Sequence, residues 1–134
     1  MKKLLSSLLI FVMVLSGCGN KSVSTLDTID VNDIDILTIA ALPSPPKVKT
    51  VDKKHHIEKV ISFINSINKK EMKLEEDING WELFINTKGK KQHSISFIGN
   101  MINIDKVWYK IDANEIKKMR EIYNELDYRE ESMK

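Results

Sequence analysis

A chain of 134 residues with 21 Lys plus Arg against 19 Asp plus Glu has room for one modest core and not for two lobes. Two of the lysines, Lys2 and Lys3, precede an apolar run. Without them the two signs balance at 19 each, so the basic excess is no footprint for nucleic acid. The single cysteine leaves no partner for a disulfide, and the domain must be held by its core alone.

The opening segment carries the strongest signal. After Lys2 and Lys3 come an apolar run from Leu4 to Leu15 and then Leu15-Ser16-Gly17-Cys18. The run falls short of the roughly 20 residues that span a bilayer, and no stop-transfer pattern follows it. A basic segment held at the cytoplasmic face, a short apolar core and small residues before Cys18 resemble a bacterial lipoprotein signal peptide with its lipobox. The resemblance implies that residues 1–17 are removed and that Cys18 carries a diacylglycerol thioether. It also implies a mature chain lipid-anchored on the outer face of the cytoplasmic membrane, where two acyl chains give stable attachment. Within the discarded part, Ile10 to Gly17 resembles the short apolar peptide pheromones that some Gram-positive bacteria trim from such signals, which implies a second, minor role for that fragment. Usage rich in Ile, Lys and Asn, with Arg only at Arg120 and Arg129, fits an AT-rich, Gram-positive source.

Residues 18–33 mix small polar residues with isolated aliphatics and read as the lipidated Cys18 and a flexible tether. From Ile34 the β-branched run to Leu42 predicts a first strand, ended by Pro43-Ser44-Pro45-Pro46. Ile57, Val60, Ile61, Ile64 and Ile67 recur at helical spacing, with Thr50 or Asp52 available as the N-cap. Residues 68–79 are charged and end in Asn79-Gly80, so they read as a loop. The period then becomes two. Trp81, Leu83 and Ile85 alternate with Glu82, Phe84 and Asn86, Ile95 and Phe97 return, Ile102 and Ile104 follow, and Tyr109 and Ile111 complete a meander of about four strands. Its turns fall at Lys88-Gly89-Lys90, Gly99-Asn100 and Asp105-Lys106. Ile116, Met119, Tyr123 and Leu126 predict a last helix, and Asp112 with Glu115 has the spacing of a capping box. The charged tail, residues 128–134, should fray.

The expectation is a single α+β domain over residues 34–127: an antiparallel sheet of four to five strands with two amphipathic helices on one face. The other face, carrying Trp108 and Phe84, is the expected binding surface. The stretch from Gly99 to Ile111, containing Trp108-Tyr109-Lys110-Ile111, with the helix ending Glu121-Ile122-Tyr123-Asn124-Glu125-Leu126, resembles the C-terminal half of small uncharacterised lipoproteins of Gram-positive bacteria. The likeness rests on packing residues, so it implies no activity.

Catalytic and metal constellations are weak. His55 and His56 are adjacent, so on a helix they point about 100 degrees apart and cannot chelate one ion together. Asp27, Asp30, Asp33 and Asp35 lack the ligand register, glycine and terminal Glu of a calcium loop. His93 and Ser94 are strand neighbours facing opposite sides, and Glu75-Glu76 lie in an open charged loop. Gly89 and Gly99 sit in hairpins and precede no helix, so neither makes a phosphate cradle. Trp81, Trp108 and Tyr109 read as core or sheet-face aromatics, any one of which could anchor a partner if exposed. No catalytic residue, metal or cofactor is assigned. The expected function is a tethered, non-enzymatic module that binds a protein, peptide or envelope polymer at the cell surface, and the alternative is an envelope-acting enzyme or accessory subunit. A pocket lined by His93 or by carboxylates would favour the enzyme, and a flat face bearing Trp108 or Phe84 the binder.

Overall fold

The computed structural model describes residues 28–43, 46–74, 76 and 78–133. The signal segment, Cys18, the fragment Ile10 to Gly17 and the first part of the tether lie outside the described residues.

A single 3-10 turn, Val31–Asp33, leads into β1 (Ile34–Ala41) and β2 (Lys47–Val51), followed by α1 (Lys54–Ser66) and β3 (Lys70–Met72). The meander is β4 (Leu83–Gly89), β5 (Ser94–Ile98), β6 (Met101–Ile104) and β7 (Val107–Lys110), and α2 (Asn114–Glu125) and β8 (Glu131–Ser132) close the chain. One antiparallel sheet holds all the strands in the order β3-β7-β6-β5-β4-β1-β2-β8. The α+β class, the antiparallel sheet and the two helices match the sequence reading. The strand number does not, because the sheet has eight strands where four to five were expected.

The additional strands have physical reasons for escaping a pattern search. In β2 the side chains at Lys47, Lys49 and Val51 share the inner face and Val48 stands on the outer one, so the apolar alternation is broken by a buried lysine. Thr50, a candidate cap, instead pairs with Thr38 in the sheet. β3 and β8 are short, polar and at the sheet edges, where charged and brief strands discourage pairing with other chains.

Inward-facing residues meet the helices in one core. Leu37, Ile39, Leu83, Ile85, Ile95, Phe97 and Ile102 are fully buried and pack with Ile57, Val60, Ile61 and Ile64 of α1 and with Ile116, Met119 and Tyr123 of α2. Both apolar helix stripes read from the sequence are therefore the buried ones.

Helix ends depart from the expected caps. The N-cap of α1 is Lys53, with no side-chain bond, in place of Thr50 or Asp52. At α2 the expected box does not form: the N-cap is Ala113, with no side-chain cap bond, Asp112 Oδ1 accepts the Asn114 N–H at 2.8 Å two residues on, and Glu115 turns to Lys118 at 3.4 Å. Neither helix has a basic residue in its last turn, yet both C-termini are capped by lysines from outside the helix. Lys69 Nζ donates to the Ile64 and Ile67 carbonyls at 2.8 and 3.0 Å, and burial lowers its pKa from the ordinary value. Lys49 Nζ, on a residue only 6% exposed, donates to the Tyr123 and Leu126 carbonyls at 2.7 and 2.8 Å and lies 4.4 Å from the Tyr123 ring centre.

The domain also extends beyond its expected bounds at both ends. Ile29, assigned above to the tether, is buried, and Asn65 holds its backbone N–H and carbonyl through two bonds of 3.0 Å each. Gly89 meets the following turn so closely that a Cβ there would stand 2.2 Å from the Asp33 carbonyl oxygen, which only glycine permits. In the expected tail, Tyr128 bonds to His56 and β8 pairs with Lys47 and Val48.

Substitutions at two positions test this packing. Ile61→Ala, at a residue with no exposure, is expected to cost about 2 to 5 kcal/mol in denaturant unfolding. Lys49→Ala strips the donor from two α2 carbonyls and should cost about 1 to 3 kcal/mol for each carbonyl left without a replacement bond, with Lys49→Met no better because it keeps the stem and loses the donor. An unchanged unfolding midpoint in either would contradict the account.

Candidate functional site

Period-two geometry sends every second side chain of the central strands away from the helices. The register then aligns them across strands. Met72 of β3 opposes Trp108 of β7, which opposes Asn103 of β6, which in turn opposes Ser96 of β5. Ser96 opposes Phe84 of β4, and Phe84 opposes Ala40 of β1. The two aromatics singled out from the sequence, Trp108 and Phe84, thus stand in one row on the outer face, half-buried. Trp81 joins them, its ring 5.8 Å from that of Phe84 at 38°. Tyr109, weighed with them, points inward and is buried; its pKa is raised by burial and then by Glu71 and Asp105.

The next row toward the β4–β5 hairpin continues the polar character. Ser94 opposes Asn86, Asn86 opposes Thr38, and Thr38 opposes Thr50. Across β5, β4, β1 and the middle of β2, these two rows carry hydroxyls, amides, a phenyl ring and small aliphatics, with no formal charge. Exposed sheet faces ordinarily carry charged side chains, and 30% of this sequence is charged, so the gap is a property of the face.

At one end this face opens into a shallow cavity lined by Asn86, Lys88, Gln92, His93, Ser94 and Asp105. The β6–β7 turn builds its wall: Asp105 and Lys106 have φ of 50° and 77°, and Asn103 Oδ1 accepts the Lys106 N–H at 3.0 Å. Asp105 reaches back to β5, with Oδ2 2.7 Å from His93 Nδ1 and Oδ1 accepting the Ser94 N–H at 2.9 Å. His93 is further fixed by its N–H donating to Thr87 Oγ1 at 2.8 Å. A carboxylate orienting an imidazole is one part of a nucleophilic apparatus. The nucleophile is missing, since Ser94 stands opposite Asn86 and, among the described residues, no hydrogen bond joins its hydroxyl to His93. Sequence reasoning missed the His93–Asp105 pair because the two residues are 12 apart and meet only through the register of β5 against β6.

The other histidines lie elsewhere. His55 and His56 sit in the first turn of α1 with ring centres 4.0 Å apart, and His56 Nδ1 is 2.7 Å from the Tyr128 hydroxyl. Of the aspartates weighed for calcium, Asp30 caps the 3-10 turn through the Asn32 N–H at 2.9 Å, Asp33 and Asp35 stand beside Gly89, and Asp27 lies outside the described residues. Among the described residues no three His, Cys, Asp or Glu side chains gather as a metal site would require, and no helix is long and apolar enough to cross a membrane.

Comparison with protein-family models, with curated proteins and with solved structures finds no match for the chain.

His56 supplies a pH test. Desolvation and then the neighbouring charges of His55, Lys53 and Lys59 pull its pKa below 6.5, outweighing Asp127. The fold therefore favours the neutral ring, and the stability it lends is present above pH 6.5 and lost as the pH falls below that value. The melting temperature should fall as the pH is lowered from above 6.5 toward about 5, and less steeply in His56→Gln. Identical profiles for the two chains would remove His56 as the cause.

Proposed function

We propose that the chain is a lipid-anchored, extracytoplasmic binding module, held at the outer face of the cytoplasmic membrane by Cys18, which presents the outer sheet face to a partner at the cell surface. The observation that carries the reading is that face: both helices lie on the opposite side, and Trp81, Phe84 and Trp108 stand on it among uncharged polar groups. A rigid sheet with half-buried aromatics can bind without paying for reordering, as preorganised surfaces do. The order of basic residues, apolar run and lipobox supports the anchor. Protein, peptide and envelope polymer all remain within this reading as partners.

A second reading, an envelope-acting enzyme or accessory subunit, is favoured by one observation, the His93–Asp105 pair at the cavity. It would require the partner to bring the reacting group, because Asp105 is already engaged by His93 and by the Ser94 backbone.

Two experiments test the proposal. Cys18→Ala should accumulate as an uncleaved precursor that fails to label with radioactive fatty acid, because the thiol is the only nucleophile in the segment suited to the lipid. Labelling and cleavage like the wild type would refute the anchor. A photo-crosslinking residue placed at Ser96 should give cell-surface adducts, while one at Lys117 on the exposed side of α2 should not; equal adducts from both, or from neither, would refute the face as the binding surface.

A further inference from the structure

The proposed binding face has a chemical character that narrows its ligand, and the following rests on that reading. From Trp108 on β7 to Phe84 on β4 there are three interstrand steps, about 14 Å at ~4.8 Å each. Between the two rings stand an amide, Asn103, and a hydroxyl, Ser96. Asn103 has its carbonyl oxygen committed to the Lys106 N–H, which orients its NH2 group as a donor. The sequence across the row is thus ring, donor, hydroxyl, ring, on a flat sheet with no formal charge between the rings.

We infer that this row is a subsite for an uncharged glycan strand, with Phe84 and Trp108 taking the faces of pyranose rings and Asn103 and Ser96 taking their hydroxyl or acetamido groups. Charge decides among the possible ligands. An anionic wall polymer or a lipid headgroup surface would demand cations along the ligand; Lys70 and Lys110, which oppose each other on this face two residues along from Met72 and Trp108, flank only the Trp108 end of the row, and no cation stands between the rings. The centre of a protein interface would be apolar, whereas within this row a hydroxyl and an amide separate the rings, with Ile98 and Met101 of the same face to one side of it. A sugar chain offers what the row lacks and needs: C–H faces for aromatic rings, and hydroxyls that both donate and accept where Ser96 and the Asn103 NH2 wait. The length of the row suits a short run of linked rings rather than a single one. The cavity at His93, which shares Asn86 and Ser94 with the adjoining row, lies to one side of the row, along the strands toward the hairpin.

The test uses the full chain purified in detergent from cells and two probes: an uncharged N-acetylglucosamine hexamer, and wall sacculi stripped of their anionic polymers by acid. Wild-type protein should be retained on the stripped sacculi and released by the hexamer. Trp108→Ala should weaken retention, and because that ring is half-buried a second variant, Ser96→Lys, sets a charge in the middle of the row at a half-buried surface position. Ser96→Lys should lose on the order of tenfold in affinity with its circular dichroism and melting unchanged. Retention only on sacculi that keep their anionic polymer would overturn the inference, as would equal retention of wild type and a folded Ser96→Lys. A wild-type dimer that Ser96→Lys turns into a monomer, without sugar binding, would assign the face to a second copy and equally overturn it. Crosslinks from Ser96 to a protein in cells, with no sugar bound by the wild type, would remove the glycan and leave the binding module standing.

Discussion

The ammonium of Lys49 joins the sheet to the end of α2, and the two-sided character of the domain depends on that joint. The last carbonyls of a helix have no partner within it, and burying them bare is costly. Lys49 comes from the middle of β2, points inward between strands, and satisfies the Tyr123 and Leu126 carbonyls while its charge lies against the Tyr123 ring. Tyr123 is buried by the same packing, and its hydroxyl pKa is pushed up to about 12, first by burial and then by Glu130. Lys69 does the same service for α1. Once both helix ends are fixed to one side of the sheet, the opposite side is left to the residues of the alternate register.

That division explains why an uncharged centre of the outer face is informative. A surface whose only duty is solubility tolerates charge everywhere, and the helices of this chain carry it: Lys59 and Glu125 pair across α1 and α2 at 2.6 Å with both side chains exposed, a contact of the kind that adds at most about 1 kcal/mol. On the sheet the same sequence places Thr38, Asn86, Ser94 and Ser96 at positions open to water or half-open. The charges reappear at the turns and edges, with Lys88, Asp105, Lys106, Lys70 and Lys110 bordering the rows.

Much of this was legible in the sequence wherever one periodicity ran unbroken. The helix stripes at Ile57 to Ile64 and Ile116 to Tyr123, and the meander from Leu83 to Lys110, have clean periods because one face of each is wholly buried. The side of the sheet on which Phe84 and Trp108 stand followed from the same alternation. What the sequence hid was non-local. β2 was obscured because a lysine holds an inward position, and the reason a lysine can be there is a pair of carbonyls more than seventy residues away. Ile29 looked like tether because its partner, Asn65, is on the far end of α1. The alignment of Trp108, Asn103, Ser96 and Phe84 in one row needed the registers of three strand pairs, which no single strand encodes.

The central claim is that the helices own one face of this sheet and the ligand the other. Mapping amide and indole chemical shifts by NMR while soluble, uncharged wall glycan fragments are added tests it most directly. The account predicts shifts at the Trp108 and Trp81 indoles and at the amides of Asn103, Ser96 and Phe84, fading toward the hairpin at His93, with α1 and α2 unmoved. Shifts concentrated on the helices, or spread evenly over both sides of the sheet, would contradict it.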